Sequence, residues 1–288
     1  MGLNIIVLVK QVPDTQNITQ EAMKPDGTVN RDALPAIFNP EDLHALEEAL
    51  KIKETLGGMI TVITMGPPKA VEVLKESMYR GADDAALLSD KKFAGADTLA
   101  TSYALKCAVQ NVGEFDMVLC GRQAIDGDTG QVGPQLAEKL NINQLTSICS
   151  IQDVTPREIV GFRSTEQGYE KVKSGFPVLM TVNSEANDPR PPSAKKVMAY
   201  KNILCSEESA YDESYLDNRC ARDAMLVKQW NIDSIGADPE KCGLSGSWTQ
   251  VKKIQNVVLA AREAKQIEDT QEGIYSLIKE LTQEHIIG

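Results

Sequence analysis

The sequence predicts an α/β protein built on a parallel sheet. Short apolar runs of strand length alternate with longer segments of helical periodicity from Asn4 to Leu140. Strands separated by helices form βαβ units and hence a parallel sheet. The run from Met117 to Cys120 is apolar without a break, as a strand buried on both faces should be. Glycine and proline punctuate the boundaries, at Gly57-Gly58, Gly66-Pro67-Pro68 and Gly81.

Taken in order, Asn4 to Val9 is the first strand. The first clear helix opens at Asn39, a good N-cap, with Pro40 at its first helical position. Leu43, Leu46 and Leu50 then give one apolar face, and Gly57-Gly58 ends the helix. Met59 to Met65 is the second strand. The next helix carries Val71, Leu74 and Met78 and stops at Gly81; Ala85 to Leu88 is a short third strand. Asp97 caps a helix containing Leu99, Tyr103 and Cys107. Asp116 to Cys120 is the fourth strand, and a helix over Gln135 to Leu140 follows it. From Thr146 the texture changes. Ser147 to Asp153, Glu158 to Phe162, Tyr169 to Lys173 and Pro177 to Val182 read as strands joined by turns, an antiparallel extension. Asn187 to Pro192 is a proline-rich loop, and Ala194 to Tyr200 a short helix.

The stretch from Glu207 to Ser247 is polar and weakly periodic, which reads as an extended arm or insertion. Trp230 and Trp248 are expected to anchor against another surface. Asp269 with Glu272 resembles a capping box, and Ile274, Leu277, Ile278 and Leu281 give a final helix an apolar stripe. That stripe suits packing on its own domain or on a partner. The expected organisation is an α/β domain over 1–200, an arm over 201–250 and a C-terminal segment over 251–288.

The most informative segment runs from Cys120 to Leu140. Gly127, Gly130 and Gly133 lie between a strand and a helix start. Glycine lets backbone approach a ligand, and a helix N-terminus offers amides and partial positive charge. Together they make a phosphate cradle, although a Gly/Asp-rich turn has the same composition. Neither G-x-x-x-x-G-K-[ST] nor G-x-G-x-x-G is present. Gln123, Thr129 and Gln131 are candidates to bond phosphate or ribose. Asp126 and Asp128 suit N-caps, ribose partners, or side chains turned outward while their amides face the ligand.

Composition narrows the classes. A net charge of −11 over 288 residues argues against a nucleic-acid binder. No apolar run is long enough to span a bilayer, and the chain enters a strand at once without a signal-peptide pattern, so a cytoplasmic protein without membrane insertion is expected. The six cysteines, Cys107, Cys120, Cys149, Cys205, Cys220 and Cys242, form no C-x-x-C pair and read as reduced thiols. With only His44 and His285, no metal site is expected.

Three ordered segments resemble the electron-transfer flavoprotein β subunit: Val7 to Thr15 (VLVKQVPDT), Phe38 to Glu54 (FNPEDLHALEEALKIKE), and GRQAIDGDTGQVGPQLAEKL from Gly121. Weaker matches are Met65 to Pro68, Arg80 to Leu88 and Asn187 to Met198. The resemblance implies a Rossmann-like sheet of the adenine-nucleotide α-hydrolase type. It also implies a pocket formed by Leu8, Asn39, Pro40, Glu41, Asp42, Met65, Gln123, Ala124, Ile125, Asp126, Gly127, Asp128, Thr129, Gly130, Gln131, Val132, Gly133 and Pro134, with no catalytic residue assigned. In that family the pocket holds AMP, or a second FAD in members that bifurcate electrons. The forms VKQVPDT and GRQAIDGDT look more like the bifurcating members. These take a hydride from NADH and send one electron to ferredoxin or flavodoxin. The other passes through the FAD of an α subunit to a flavin-dependent dehydrogenase, of acyl-CoA or 2-hydroxy-acid type. The resemblance further makes Arg190 and Ala194 partner-docking positions, with Ala194 standing where acyl-CoA-linked members carry a leucine. ATP-using enzymes of the same superfamily usually carry S-G-G-x-[DS]-S after the first strand, where this chain has Lys10 to Thr15. A nucleotide-binding stress module would be shorter.

Overall fold

A computed structural model describes residues 2–14, 34–201, 227–249 and 266–283. Thr15, Cys205, Cys220, His285, about half of the expected arm (207–226) and the segment 250–265 lie outside the described residues.

The first strand, β1 (Leu3–Leu8), is almost wholly buried and occupies the middle of the sheet. A small antiparallel pair follows, β2 (Gln11–Pro13) with β3 (Ala36–Phe38). The helix α1 (Pro40–Leu56) has Pro40 in its first turn, Glu41 and Asp42 beside it and Lys53 in the last turn. This charge order suits the helix dipole. Then come β4 (Gly58–Met65), α2 (Val71–Arg80), β5 (Asp84–Leu88), α3 (Thr98–Val112) and β6 (Met117–Gly121). The helix α4 (Val132–Leu140) begins three residues earlier than its apolar periodicity predicts. Glycine and proline in its first turn, Gly133 and Pro134, conceal that start, since proline needs no amide there.

Among the described residues the main sheet has nine strands, completed by β7 (Asn143–Val154), β8 (Glu158–Thr165), β9 (Gly168–Gly175), β10 (Val178–Val182) and β11 (Lys228–Trp230). Their order is β11-β5-β4-β1-β6-β10-β7-β8-β9. Pairing is parallel from β11 through to β7, then antiparallel across β8 and β9. Helices cover both faces. Leu46, Leu50, Leu74 and Met78 from α1 and α2 pack on Ile5, Val7, Ile60 and Val62. Leu105, Ala108 and Leu136 from α3 and α4 pack on Ile6, Leu8, Ile63 and Val118. Alternate β1 residues therefore serve opposite cores, as the two-residue period of a strand requires. Each such fully buried Leu or Ile contributes about 1.5–3 kcal/mol.

The expected α/β class, a largely parallel sheet with an antiparallel extension, is what the structure shows. Three details differ. Val178–Val182 does not continue the antiparallel extension; it turns back and lies parallel between β6 and β7, buried at every position. Residues 227–249 are not an extended arm: β11 adds the edge strand beside β5, and Val227, Ile232 and Cys242 are buried. Finally, the last helix, α6 (Gln271–Gln283), is capped by Thr270, whose hydroxyl accepts from the Gly273 amide at 3.1 Å, not by Asp269. None of its residues is buried; Ile274 and Ile278 face solvent among the described residues.

Candidate functional site

From β1 the chain first moves outward to β4, and only later returns to add β6 on the other side. The strand order reverses there, and ligands of doubly wound sheets bind at the carboxyl ends of strands flanking such a reversal. The residues after β1, β4 and β6 meet at this point, together with the N-termini of α1 and α4.

The segment from Gly121 to Gln131 forms a loop over the reversal. Gly130 has φ 61°, and Asp128 has φ 48°. The amides of Gly127 and Asp128 donate to the Ala124 carbonyl at 3.3 and 2.9 Å. Among the described residues, no hydrogen bond occupies the amides of Thr129, Gly130 and Gln131. They run directly into the first turn of α4, where helix amides lack intrahelical partners. A side chain at Gly127 would meet nothing within 4 Å. Open amides, a helix N-terminus and free space fit a phosphate or pyrophosphate. Gly133 matters for packing instead. A Cβ there would lie 2.7 Å from Thr181 Cγ2, so glycine permits α4 to press on β10.

The two acidic residues of the loop are engaged by the protein. Lys10 Nζ holds Asp126 at 2.7 Å, and Gln123 Nε2 donates to Asp128 at 3.2 Å. Neither caps a helix. The polar side chains expected to bond phosphate are partly committed too: Thr98 donates to Gln131 Oε1 at 2.9 Å. Thr129 remains exposed.

Asn39, Glu41 and Asp42 turn their side chains toward the loops and not toward open space. The expectation that Asn39 caps α1 fails, since its side chain makes no cap hydrogen bond. Its Nδ2 instead donates to the Gln123 carbonyl at 2.9 Å, and its Oδ1 accepts from the Ile125 amide at 3.2 Å. Glu41 accepts from the Gln123 amide at 2.9 Å and from Arg122 at 3.3 Å. Asp42 accepts from the amides of Lys10 and Gly121, both at 2.9 Å. Burial pushes the Asp42 carboxyl up to about 7, against the pull of its bonds from Asn39, Gly121 and Lys10. Burial, reinforced by Asp42 and Glu41, also raises the Cys120 thiol. Pro40 occupies the first turn of α1.

Leu8 and Met65 stand at the ends of neighbouring parallel strands, with their side chains in the core shared with α3 and α4. The Leu8 side chain is buried, so its backbone is what it can offer a ligand, whereas the Met65 side chain is only partly buried. Lys10 and Gly121 were outside the predicted set. Both lie inside the motifs, but nothing in local sequence shows that their amides converge on one carboxylate.

Arg190 lies along the later turns of α1, through Glu47 and Glu54, and Ala194 follows in the same loop. The Arg190 guanidinium is turned inward, at 2.9 Å from Glu47 and also paired with Glu54. Its contacts therefore hold its own loop in place and leave it little to offer a partner directly. The Glu54 and Glu47 carboxylates push its pKa further up. Ala194 is exposed and opens the helix α5 (Ala194–Tyr200).

Among the described residues there is no cluster suited to a metal, and no helix is long and apolar enough to cross a membrane. Cys107, Cys120, Cys149 and Cys242 are free thiols.

Fold and site together define a doubly wound α/β protein with a switch-point cradle of backbone amides. Residues 26–203 match the electron transfer flavoprotein domain. The chain is 39% identical over 285 residues to the electron transfer flavoprotein subunit beta of Clostridium acetobutylicum, covering 99% of this chain and 100% of that protein. It is 39% identical over 287 residues to the caffeyl-CoA reductase-Etf complex subunit CarD of Acetobacterium woodii, at 99% and 100% coverage. It is 38% identical over 279 residues to protein FixA of Rhizobium meliloti, covering 94% of this chain and 87% of that one. The chain belongs to the electron transfer flavoprotein family, in its β-subunit and FixA branch.

Proposed function

We propose that this chain is the β subunit of an electron-bifurcating flavoprotein, holding FAD in the switch-point cradle and using NADH as hydride donor. The observation that carries the reading is the run of open amides from Thr129 to Gln131 leading into α4. These amides and the α4 dipole would bind the pyrophosphate. The Leu8 and Met65 backbone would border the adenine, and the Lys10–Asp126 pair would close one side of the mouth. The motif forms VKQVPDT and GRQAIDGDT support FAD over AMP. So does similarity to a protein named as part of a caffeyl-CoA reductase-Etf complex. When bound, the flavin supplies a two-electron acceptor that can release electrons singly. The chain's own contribution is to bind, orient and exclude water.

The partners that follow from this reading are an α subunit carrying its own FAD, ferredoxin or flavodoxin, and a flavin-dependent dehydrogenase. The loop from Asn187 to Ala194 would meet the dehydrogenase. An exposed alanine there contributes about 1–2 kcal/mol less through apolar burial than a leucine would, which weakens docking to an acyl-CoA dehydrogenase at this point and leaves a 2-hydroxy-acid dehydrogenase as the other candidate partner. The test is to co-express the chain with its α subunit, denature the heterodimer and count the nucleotides released. Two FAD and no AMP per heterodimer is the expected result. One FAD and one AMP would make the chain the AMP-holding half of a simple electron shuttle. A colourless preparation that hydrolyses ATP would instead place it with the ATP-using enzymes of the superfamily.

A further inference from the structure

We infer that Asn39 and Asp42 are positioning residues: they clamp the ends of β1 and β6 and the cradle loop into one rigid rim, and their side chains do not touch the nucleotide. This rests on the nucleotide reading of the cradle.

Both side chains are buried and bonded to the loop backbone. Asn39 is 0% and Asp42 6% exposed. The Asn39 carboxamide both donates and accepts, to the Gln123 carbonyl at 2.9 Å and from the Ile125 amide at 3.2 Å, so it fixes two peptide units of the loop. The Asn39 backbone amide donates to the Lys10 carbonyl at 2.9 Å. Asp42 accepts one amide from Lys10, just past β1, and one from Gly121, the last residue of β6. The two strands on either side of the reversal are thereby tied to one carboxylate. The approach is so close that a Cβ on Gly121 would lie 2.5 Å from Asp42 Oδ1.

Two amide donors suit a carboxylate with both oxygens free to accept. Protonation turns one Asp42 oxygen into a hydroxyl, a much weaker acceptor whose proton crowds the facing N–H. The hold on one strand end then weakens, and the cradle loosens. Burial pushes this carboxyl up to about 7. The charged and titratable groups around it are Lys10 from the loop after β1, which also holds Asp126 of the cradle loop, Glu41 on α1, and Cys120 and Arg122 at the end of β6. His44 also lies on α1, but it pairs with Asn187 of a different loop. Protonation therefore opposes nucleotide binding, and affinity should fall as pH drops through about 7.

The experiment uses the heterodimer with the α-subunit FAD in place and the cradle emptied, titrated with FAD and with AMP from about pH 5.5 to about pH 8.5, a span that brackets the Asp42 titration. Wild type, Asp42→Asn and Asn39→Asp are compared. The expected result is about tenfold weaker binding for D42N at the alkaline end, corresponding to one lost buried hydrogen bond, and a flat pH profile where the wild type slopes. Because His44 is present in both proteins, the difference between the wild-type and D42N slopes isolates Asp42. N39D retains an acceptor for Ile125 but opposes the Gln123 carbonyl with a carboxylate, and should lose about as much. If wild type binds neither nucleotide, the cradle reading falls and the clamp with it. If wild type binds and D42N matches it in affinity and slope, only the clamp is overturned. If D42N does not assemble, N39D decides: weakened binding upholds the clamp, and unchanged binding overturns it. A flat wild-type profile overturns the coupling to Asp42 ionisation.

Discussion

Replacing Arg190 by alanine should destabilise the chain chiefly by stranding Glu47. The Glu47 side chain is 6% exposed and the Arg190 side chain 31%. Arg190 Nε lies 2.9 Å from one Glu47 oxygen, Nη2 lies 2.9 Å from the other, and the Arg190 amide adds a third bond at 3.1 Å. Glu54 pairs with the far side of the guanidinium, and Arg80 donates to the Arg190 carbonyl. Removing one partner of a fully buried ion pair costs about 3–5 kcal/mol, because a charge is left without compensation. Arg190 is partly solvated, so about 2–3 kcal/mol is the appropriate figure here. For a chain of this length that lowers Tm by about 4–10 °C. The discriminating comparison is the double variant Arg190→Ala with Glu47→Gln, followed by thermal unfolding. If the cost is the stranded carboxylate, the double variant should recover more than half of the loss, since a neutral amide tolerates burial better. A shift below about 2 °C for R190A, or losses that simply add in the double variant, would sink the argument.

Other perturbations test other parts of the structure. Gly133→Val should cost about 1–3 kcal/mol by overpacking, since a Cβ would meet Thr181 Cγ2 at 2.7 Å and Cys120 Sγ at 3.1 Å; denaturant titration measures it. Asp97 caps α3 through the Ala100 amide at 2.9 Å and also accepts from Trp248 and Thr249 at 2.9 and 3.0 Å. Although burial, the largest influence, pushes its carboxyl up, these donors together hold it below 3.8. Its contribution is therefore full above that value and lost as pH falls through the lowered one, and Asp97→Ala should cost about 1–2 kcal/mol at neutral pH but little in acid. Ala194→Leu should speed electron transfer to an acyl-CoA dehydrogenase in a reconstituted assay; unchanged rate and partner choice would remove this loop as the determinant.

The elements before Leu140, apart from the short pair β2 and β3, were legible because each carries its own local signal. Strands are continuous apolar runs, helices have an apolar face, and glycine or proline marks the ends. Val178–Val182 carries a signal that a strand-by-strand reading passes over. It is apolar through Met180 and, like Met117–Gly121, is buried at every position. An edge strand of an antiparallel extension would alternate, so the unbroken run belongs in the sheet's interior. By contrast, β11 is three residues long, Lys228–Trp230, and two of the three are polar. Its pairing is set by Val227 and Ile232, buried on either side of it, which is a tertiary effect without a local pattern.

The site was legible in a different way. Motif resemblance located the right loops, but not what their side chains do. Asn39 before Pro40 has every local mark of an N-cap, and its side chain nonetheless bonds to residues 84 and 86 positions away. Capping and long-range bonding use the same amide group, so local sequence cannot separate them. The same holds for Asp126 and Asp128, whose charges look ill suited to a phosphate until Lys10 and Gln123 are seen to engage them. With its polar side chains largely committed inward, the cradle presents backbone amides to the ligand. Amides cannot be changed by substitution without changing the chain's path. Binding in this site should therefore respond more to residues that set that path, such as Asp42, Asn39 and Gly121, than to the exposed hydroxyl of Thr129.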